Sequence, residues 1–258
     1  MEFQTADPER LSSAALRAQA EDLGYLFVRD LLPAEALLSV RRILLQQAAD
    51  LAFLDSECEV SEGIARPGLQ TPSYDDPRFV ALQVGVQSRT EFDALREHSA
   101  LITLLERCLG GPIQSRCGEV CRLAFPHSEE HTTRPHQDQA YYHQAGSGSW
   151  TAWMPLGDCP GSLGALRLIP TSHLAGLLPH GPGVSGMVVP EDAAWAGSDF
   201  RLGDVLLFHP LTIHAAQHNQ DPRRLRVSVD CRYRRQAGKA EAHLALTQLD
   251  PGISDELH

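Results

Sequence analysis

Basic residues are in short supply: 22 Lys and Arg stand against 33 Asp and Glu, giving a formal net charge of −11 over 258 residues and a pI near 5.5. That sign repels a phosphate backbone and argues against a nucleic-acid partner. Cysteine is scarce too. Six in the whole chain, none in a Cys-x-x-Cys pair, are too few for a disulfide scaffold. Cys117 and Cys121, four apart on an alternating segment, read as inert buried thiols. No apolar run approaches the roughly 18–20 residues that a membrane span needs, and the opening Met1-Glu2-Phe3-Gln4 lacks the basic and apolar regions of a secretory signal. The expectation is a cytoplasmic protein with no membrane partner and nothing that marks an obligate protein partner. Repeats and low-complexity tracts are absent as well. With 43% hydrophobic and 21% charged residues, the chain suits a single domain, 1–258, with a real core.

What is present divides by periodicity. Asp7-Pro8-Glu9 predicts a helix start and Gly24 its stop, followed by a short strand at Tyr25-Leu26-Phe27-Val28. A second helix opens at Pro33, with Leu37, Val40, Leu44, Ala48 and Leu51 forming one stripe. A third is expected from about Arg89 to Leu109, ending at Gly110-Gly111-Pro112. Residues 55–80, rich in turn formers, read as one long irregular segment. From Ile113 the period becomes two. Strands are expected there and at Ser149 to Leu156, Ala165 to Ile169, Gly186 to Val189, Asp204 to Phe208 and Leu225 to Arg234. The fold class is mainly β with flanking α: a sandwich or jelly-roll core over 113–235, helical support over 1–112, and a polar tail over 236–258.

The sharpest chemical signal is Arg134-Pro135-His136-Gln137-Asp138. On extended backbone, residues i and i+2 face one side, so His136 and Asp138 can present an imidazole and a carboxylate to one point. A third ligand is offered by His214, at the end of Gly203-Asp204-Val205-Leu206-Leu207-Phe208-His209-Pro210-Leu211-Thr212-Ile213-His214. Two imidazoles and one carboxylate with open positions suit non-haem Fe(II). Zinc accepts the same donors, although no His-Glu-x-x-His favours a zinc-dependent hydrolase, and a non-catalytic metal- or small-ligand-binding jelly roll is the other alternative. Beyond His214, Arg226, Ser228, Asp230 and Arg232 share one strand face. A guanidinium there suits a dicarboxylate chelating the metal, while the bland alternative is an edge strand blunted by charge. Among the other histidines, His173 reads as a turn residue and His209 as packing. Tyr141, Tyr142 and His143 are divided between substrate contact and wall packing, and Arg122 between ligand contact and a paired structural role.

These residues resemble the phytanoyl-CoA dioxygenase-like branch of the Fe(II)/2-oxoglutarate-dependent oxygenases, from about Gly24 to Tyr233. Four blocks carry the resemblance, in family order: Arg134 to Asp138; Trp153-Met-Pro-Leu with Gly164 to His173; Gly203 to His214; and Arg226 to Tyr233. The resemblance implies a double-stranded β-helix (cupin-like) fold, iron held by His136, Asp138 and His214, and Arg226 on the distal carboxylate of 2-oxoglutarate, with Arg224 its competitor. Trp153 falls where the family lines the cosubstrate pocket, and Gln83 where several relatives place a lysine contacting 2-oxoglutarate. Ala216 replaces a family hydroxyl. With Fe(II), 2-oxoglutarate and O2, the implied activity is hydroxylation of an unactivated C–H bond of a small-molecule metabolite or natural-product intermediate, releasing succinate and CO2. Asp138 implies hydroxylase rather than halogenase, because related halogenases carry a small residue there. Residues 55–80, 127–134 and 176–199 are the expected pocket rim.

Overall fold

The computed structural model describes residues 1–73, 75–141, 149–181 and 186–236; Tyr142, His143 and the polar tail beyond Gln236 lie outside them. The first helix, α1 (Ser13–Leu23), starts later than Asp7-Pro8-Glu9 predicts, because the Asp7 carboxylate closes a local turn by accepting from the Glu9 and Arg10 N–H groups. Ser12 supplies the cap instead, its hydroxyl accepting from Ala15 N–H. Gly24 ends the helix at φ 76°, and a Cβ there would sit 2.4 Å from His173 Nδ1 and 2.6 Å from Thr212 Oγ1. Then come β1 (Tyr25–Val28) and α2 (Ala34–Asp50), which buries Leu37, Val40, Leu44, Leu45 and Ala48.

Two helical expectations need correction. The irregular segment ends earlier than 80, since Asp76 caps α3 (Pro77–Gln87) through its carboxylate and Arg78 N–H. The single helix expected over 89–109 is broken into α4 (Thr90–Arg96) and α5 (Ser99–Leu109), because His98 turns out of helical geometry and its ring accepts the Ala100 N–H of the new helix.

The strands form two antiparallel sheets. These are β2 (Ile113–Ala124), β3 (Trp150–Pro155), β4 (Leu166–Leu168), β5 (Ala196–Gly197), β6 (Val205–Phe208), β7 (His214–Ala216) and β8 (Arg226–Arg235). One sheet has the order β1-β6-β3-β8-β2 and the other β5-β4-β7. The strand expected at 186–189 does not form. Gly186 has φ 74°, and Met187 N–H donates to Pro135 O, tying this stretch beside His136 instead. The division at residue 112 is not one between helices and sheet either, since β1 pairs with β6 throughout its length.

Strand alternation sorts the large sheet into two faces. Outward, Leu26, Val28, Cys121, Leu123, Ala152, Met154, Leu207, Val229 and Tyr233 pack with the helical stripes in one core. Inward, Tyr25, Phe27, Trp153, Leu206 and Phe208 meet Leu166, Leu168 and Ala196 of the small sheet in a second. The inner face of β8 carries none of this apolar packing: Arg226, Ser228, Asp230 and Arg232 are all buried there. A buried row so polar is costly unless partners answer it.

Candidate metal centre

His136 and His214 are joined by their backbones before their side chains meet. His136 N–H donates to His214 O and His214 N–H to His136 O, each at 3.0 Å, an isolated antiparallel bridge between distant stretches. Their rings lie 4.1 Å apart by centroid. Gln137 is extended, at φ −114° and ψ 127°, which carries Asp138 to the same side as His136. The ligand atoms of His136, Asp138 and His214 lie within 4.8 Å of one another, and all three residues are buried. Among the described residues this is the one group of three metal-ligating side chains so placed.

Each imidazole is oriented by its other nitrogen. His136 Nδ1–H donates to Arg134 O at 2.8 Å and His214 Nδ1–H to Thr212 O at 3.0 Å, so both Nε2 atoms face the cluster, 3.4 and 3.6 Å from Asp138 Oδ1. The carboxylate is equally divided. Its Oδ1 faces the histidines, while Oδ2 accepts from Thr151 Oγ1 at 2.6 Å and Arg232 Nη2 at 3.3 Å. Behind Arg232 the charges alternate: Asp230 Oδ2 lies 3.9 Å from Arg232 Nη2 and 2.7 Å from Arg122 Nε. The polar face of β8 is thus answered largely from within.

Burial raises the Asp138 carboxyl, but the Arg232 guanidinium, foremost among the groups that oppose it, holds it well below the usual carboxylate range. His214 moves the other way for a base: burial, and then the neighbouring His136, push it down to about 3. The cluster offers an anionic oxygen and unprotonated nitrogen at one point, the donor set of an Fe(II) or Zn(II) site.

The residues expected to bind cosubstrate divide. Arg226 is 2% exposed, with Nη1 donating to Ser228 Oγ at 2.7 Å. Its competitor Arg224 is 56% exposed and paired with Asp221 at 2.8 Å. Trp153 lies on the inner face, 1% exposed and edge-on to Phe200. Among the described residues its Nε1–H has no hydrogen-bond partner, and an orphaned buried donor costs about 1–3 kcal/mol. Gln83 is engaged elsewhere: its amide donates to Cys121 O, and its Oε1 accepts from Cys121 N–H at 2.8 Å, on the free edge of β2. Gln83 is here an edge clamp. The thiol of Cys121 is buried and its pKa raised, as is that of Cys231. Arg122 is the paired residue seen above, His173 Nε2–H donates to Glu21 O, and His209 packs against Trp150 and His173.

Sequence reasoning missed three contributors. Thr151 and Arg232 fix Asp138, and Gln137 is fully buried between the ligands. The Gln137 amide donates to Gly176 O and Leu211 O and accepts from Leu178 N–H, strapping two loops to the ligand segment. Only Arg232 had a signal, its place on the inward register of β8.

The family model described as phytanoyl-CoA dioxygenase matches residues 20–226. Among solved structures, the epimerase SnoN from nogalamycin biosynthesis, in complex with Fe3+, alpha ketoglutarate and nogalamycin RO, is 21% identical, with a TM-score of 0.60 over 98% of this chain and 94% of that one. The alpha ketoglutarate-dependent carbocyclase SnoK is 20% identical, with a TM-score of 0.62 over 95% and 94%. AviO1 from Streptomyces viridochromogenes Tue57 is 19% identical, with a TM-score of 0.58 over 91% and 98%. At these identities the likeness to the three structures is one of fold.

Proposed function

The chain belongs to the phytanoyl-CoA dioxygenase family, and from that premise we propose that it is an Fe(II)- and 2-oxoglutarate-dependent oxygenase hydroxylating an unactivated C–H bond of a small-molecule metabolite or natural-product intermediate. Its single domain is read as a double-stranded β-helix built from the two sheets. The observation that carries the reading is the convergence of His136 Nε2, Asp138 Oδ1 and His214 Nε2, with both imidazoles held by their Nδ1–H bonds. Two neutral imidazoles and one carboxylate leave coordination positions for a chelating ketoacid and O2.

Two further residues support the cosubstrate part of this reading. Arg226 is buried on the inner face of β8 and supplies a planar guanidinium for a distal carboxylate, while Arg224 is exposed at the surface. The orphaned Trp153 Nε1–H is a donor in want of an acceptor inside the same barrel. Iron held by His136, Asp138 and His214 would supply the oxidising power for coupling decarboxylation of 2-oxoglutarate, to succinate and CO2, with insertion of one oxygen atom of O2 into the substrate. The chain's own contribution is geometric. Thr151 and Arg232 hold Asp138 Oδ2 so that Oδ1 faces the two imidazole Nε2 atoms, the bridge between His136 and His214 sets their spacing, and the apolar inner core excludes water.

The test is succinate formation from 2-oxoglutarate under air with added Fe(II), run against a metabolite panel. Relatives named epimerase and carbocyclase make substrate loss worth reading beside oxygen incorporation. Succinate that depends on iron and on one substrate, with a hydroxylated product, is the expected result. Purified protein holding stoichiometric zinc and hydrolysing esters without 2-oxoglutarate contradicts it.

A further inference from the structure

Beside the ligand segment lies an open cavity of about 720 Å³, lined by Arg134, Leu178, Pro179, His180, Met187 and Val188 among others. Its size is that of a small-molecule site. It is built onto the segment that carries two of the ligands, through Pro135 and Gln137 on either side of His136: Met187 N–H donates to Pro135 O, Gln137 N–H to His180 Nε2 at 3.0 Å, and Leu178 N–H to Gln137 Oε1 at 2.8 Å. Both His180 nitrogens are engaged, since Nδ1–H donates to Leu178 O, so this ring is wall. Its walls are otherwise apolar. Leu178, Pro179, Met187 and Val188 line it, and Val188 is 97% exposed. Such exposed apolar groups around one concavity mark a place where something binds.

One charge faces this site. Arg134 is exposed, and among the described residues its guanidinium has neither an ion pair nor a hydrogen bond. Among the described residues no acidic one lines the cavity, although acids exceed bases by 33 to 22 in the chain. A lone cation in an apolar wall on an acidic protein selects an anion.

We infer that this cavity is the substrate pocket and takes an apolar molecule bearing an anionic group, a carboxylate or the like, which Arg134 pairs while Leu178, Met187 and Val188 cover the body. The inference rests on the oxygenase reading for the word substrate, but the pocket's selectivity is measurable without turnover. Two fluorescent probes share one ring system: 1-anilinonaphthalene-8-sulfonate and its uncharged analogue N-phenyl-1-naphthylamine. The full-length protein is expected to bind both. Arg134→Gln should weaken the sulfonate by about fivefold and leave the neutral probe unchanged, Arg134→Lys should recover part of the difference, and Met187→Glu should weaken both. Equal sulfonate binding by wild type and Arg134→Gln, equal loss of both probes in Arg134→Gln, or no binding by wild type overturns the inference. Anaerobic Fe(II) and 2-oxoglutarate added to the same proteins report the metal centre separately: a charge-transfer absorption band retained in Arg134→Gln keeps the oxygenase reading whatever the probes do, and a band absent from wild type removes that reading while the probe result still judges the pocket.

Discussion

The two oxygens of Asp138 have different partners. Oδ1 faces both imidazole nitrogens, and Oδ2 is held by Thr151 and Arg232. Removing those holders frees the carboxylate to rotate, or leaves it without compensation for burial, before any metal ligand is lost. Thr151→Val and Arg232→Met are each expected to weaken Fe(II) or Mn(II) binding by roughly 10- to 100-fold, read by anaerobic metal titration; unchanged affinity in both contradicts the positioning role. At the other end of β8, Arg226→Leu is expected to raise the KM for 2-oxoglutarate on the order of a hundredfold, as when one partner of a buried charge pair is truncated. Arg224→Leu should leave it unchanged, and the reverse pattern would reassign the cosubstrate carboxylate. At this scale much was legible. The convergence of His136 and Asp138 follows from the period of an extended segment, and the inward burial of Arg226 from its place on one strand face. Thr151 was not legible, because a partner on another strand depends on a register between β3 and β8 that no local pattern encodes.

Among the elements, the free edge of β2 shows how the helical layer and the sheet are fastened. Gln83 donates to and accepts from Cys121 on that edge, and Gln87 Nε2–H donates to Glu119 O at 2.7 Å. Two amides, one turn apart on α3, serve where a sixth strand would bond, blunting an edge otherwise open to other chains. Gln83→Leu is expected to cost about 1–2 kcal/mol, from hydrogen bonds of roughly 1 kcal/mol each, measured by denaturant unfolding, with the KM for 2-oxoglutarate unmoved. A raised KM at undiminished stability would return Gln83 to the cosubstrate. The same helix explains an error in reading the sequence. Capping by Asp76 and Pro77 is a clear start signal, but Gly85 and the mixed pattern around it lack a clean apolar stripe. The break at His98 was hidden for the opposite reason, since apolar residues continue on both sides and the signal is only a ring-to-backbone bond that caps the start of α5. The strand expected at 186–189 failed because a short apolar run was read without its glycine turn and its bond to Pro135.

For the whole molecule, two cores sharing one sheet place a polar seam between them, and the histidines near it carry a pH dependence. Burial, with a neighbouring imidazole second, lowers His214 to about 3 and His209 to about 4, against an ordinary value near 6.5. Between those limits the unfolded chain takes up protons that the folded one refuses, so stability present above about pH 6.5 declines as pH falls and levels off below the folded values. We expect metal-free protein to lose denaturant resistance steadily from about pH 6.5 downward, with His209→Gln flattening the slope; a midpoint constant from pH 7 to 5 contradicts this. The overall architecture was legible to the extent that β alternation, Gly and Pro punctuation and four ordered motif blocks agree. The pairing of β1 with β6 was not, since four apolar residues after a helix do not say which sheet they join. The most direct measurement of the central claim is anaerobic visible absorption on adding one equivalent of Fe(II) and then 2-oxoglutarate to wild type, Asp138→Ala and His214→Ala. A saturable charge-transfer band in wild type, lost or greatly weakened in both variants, is the expected result. A band of undiminished intensity and affinity in either variant, or none in wild type, would mean that His136, Asp138 and His214 do not hold the iron.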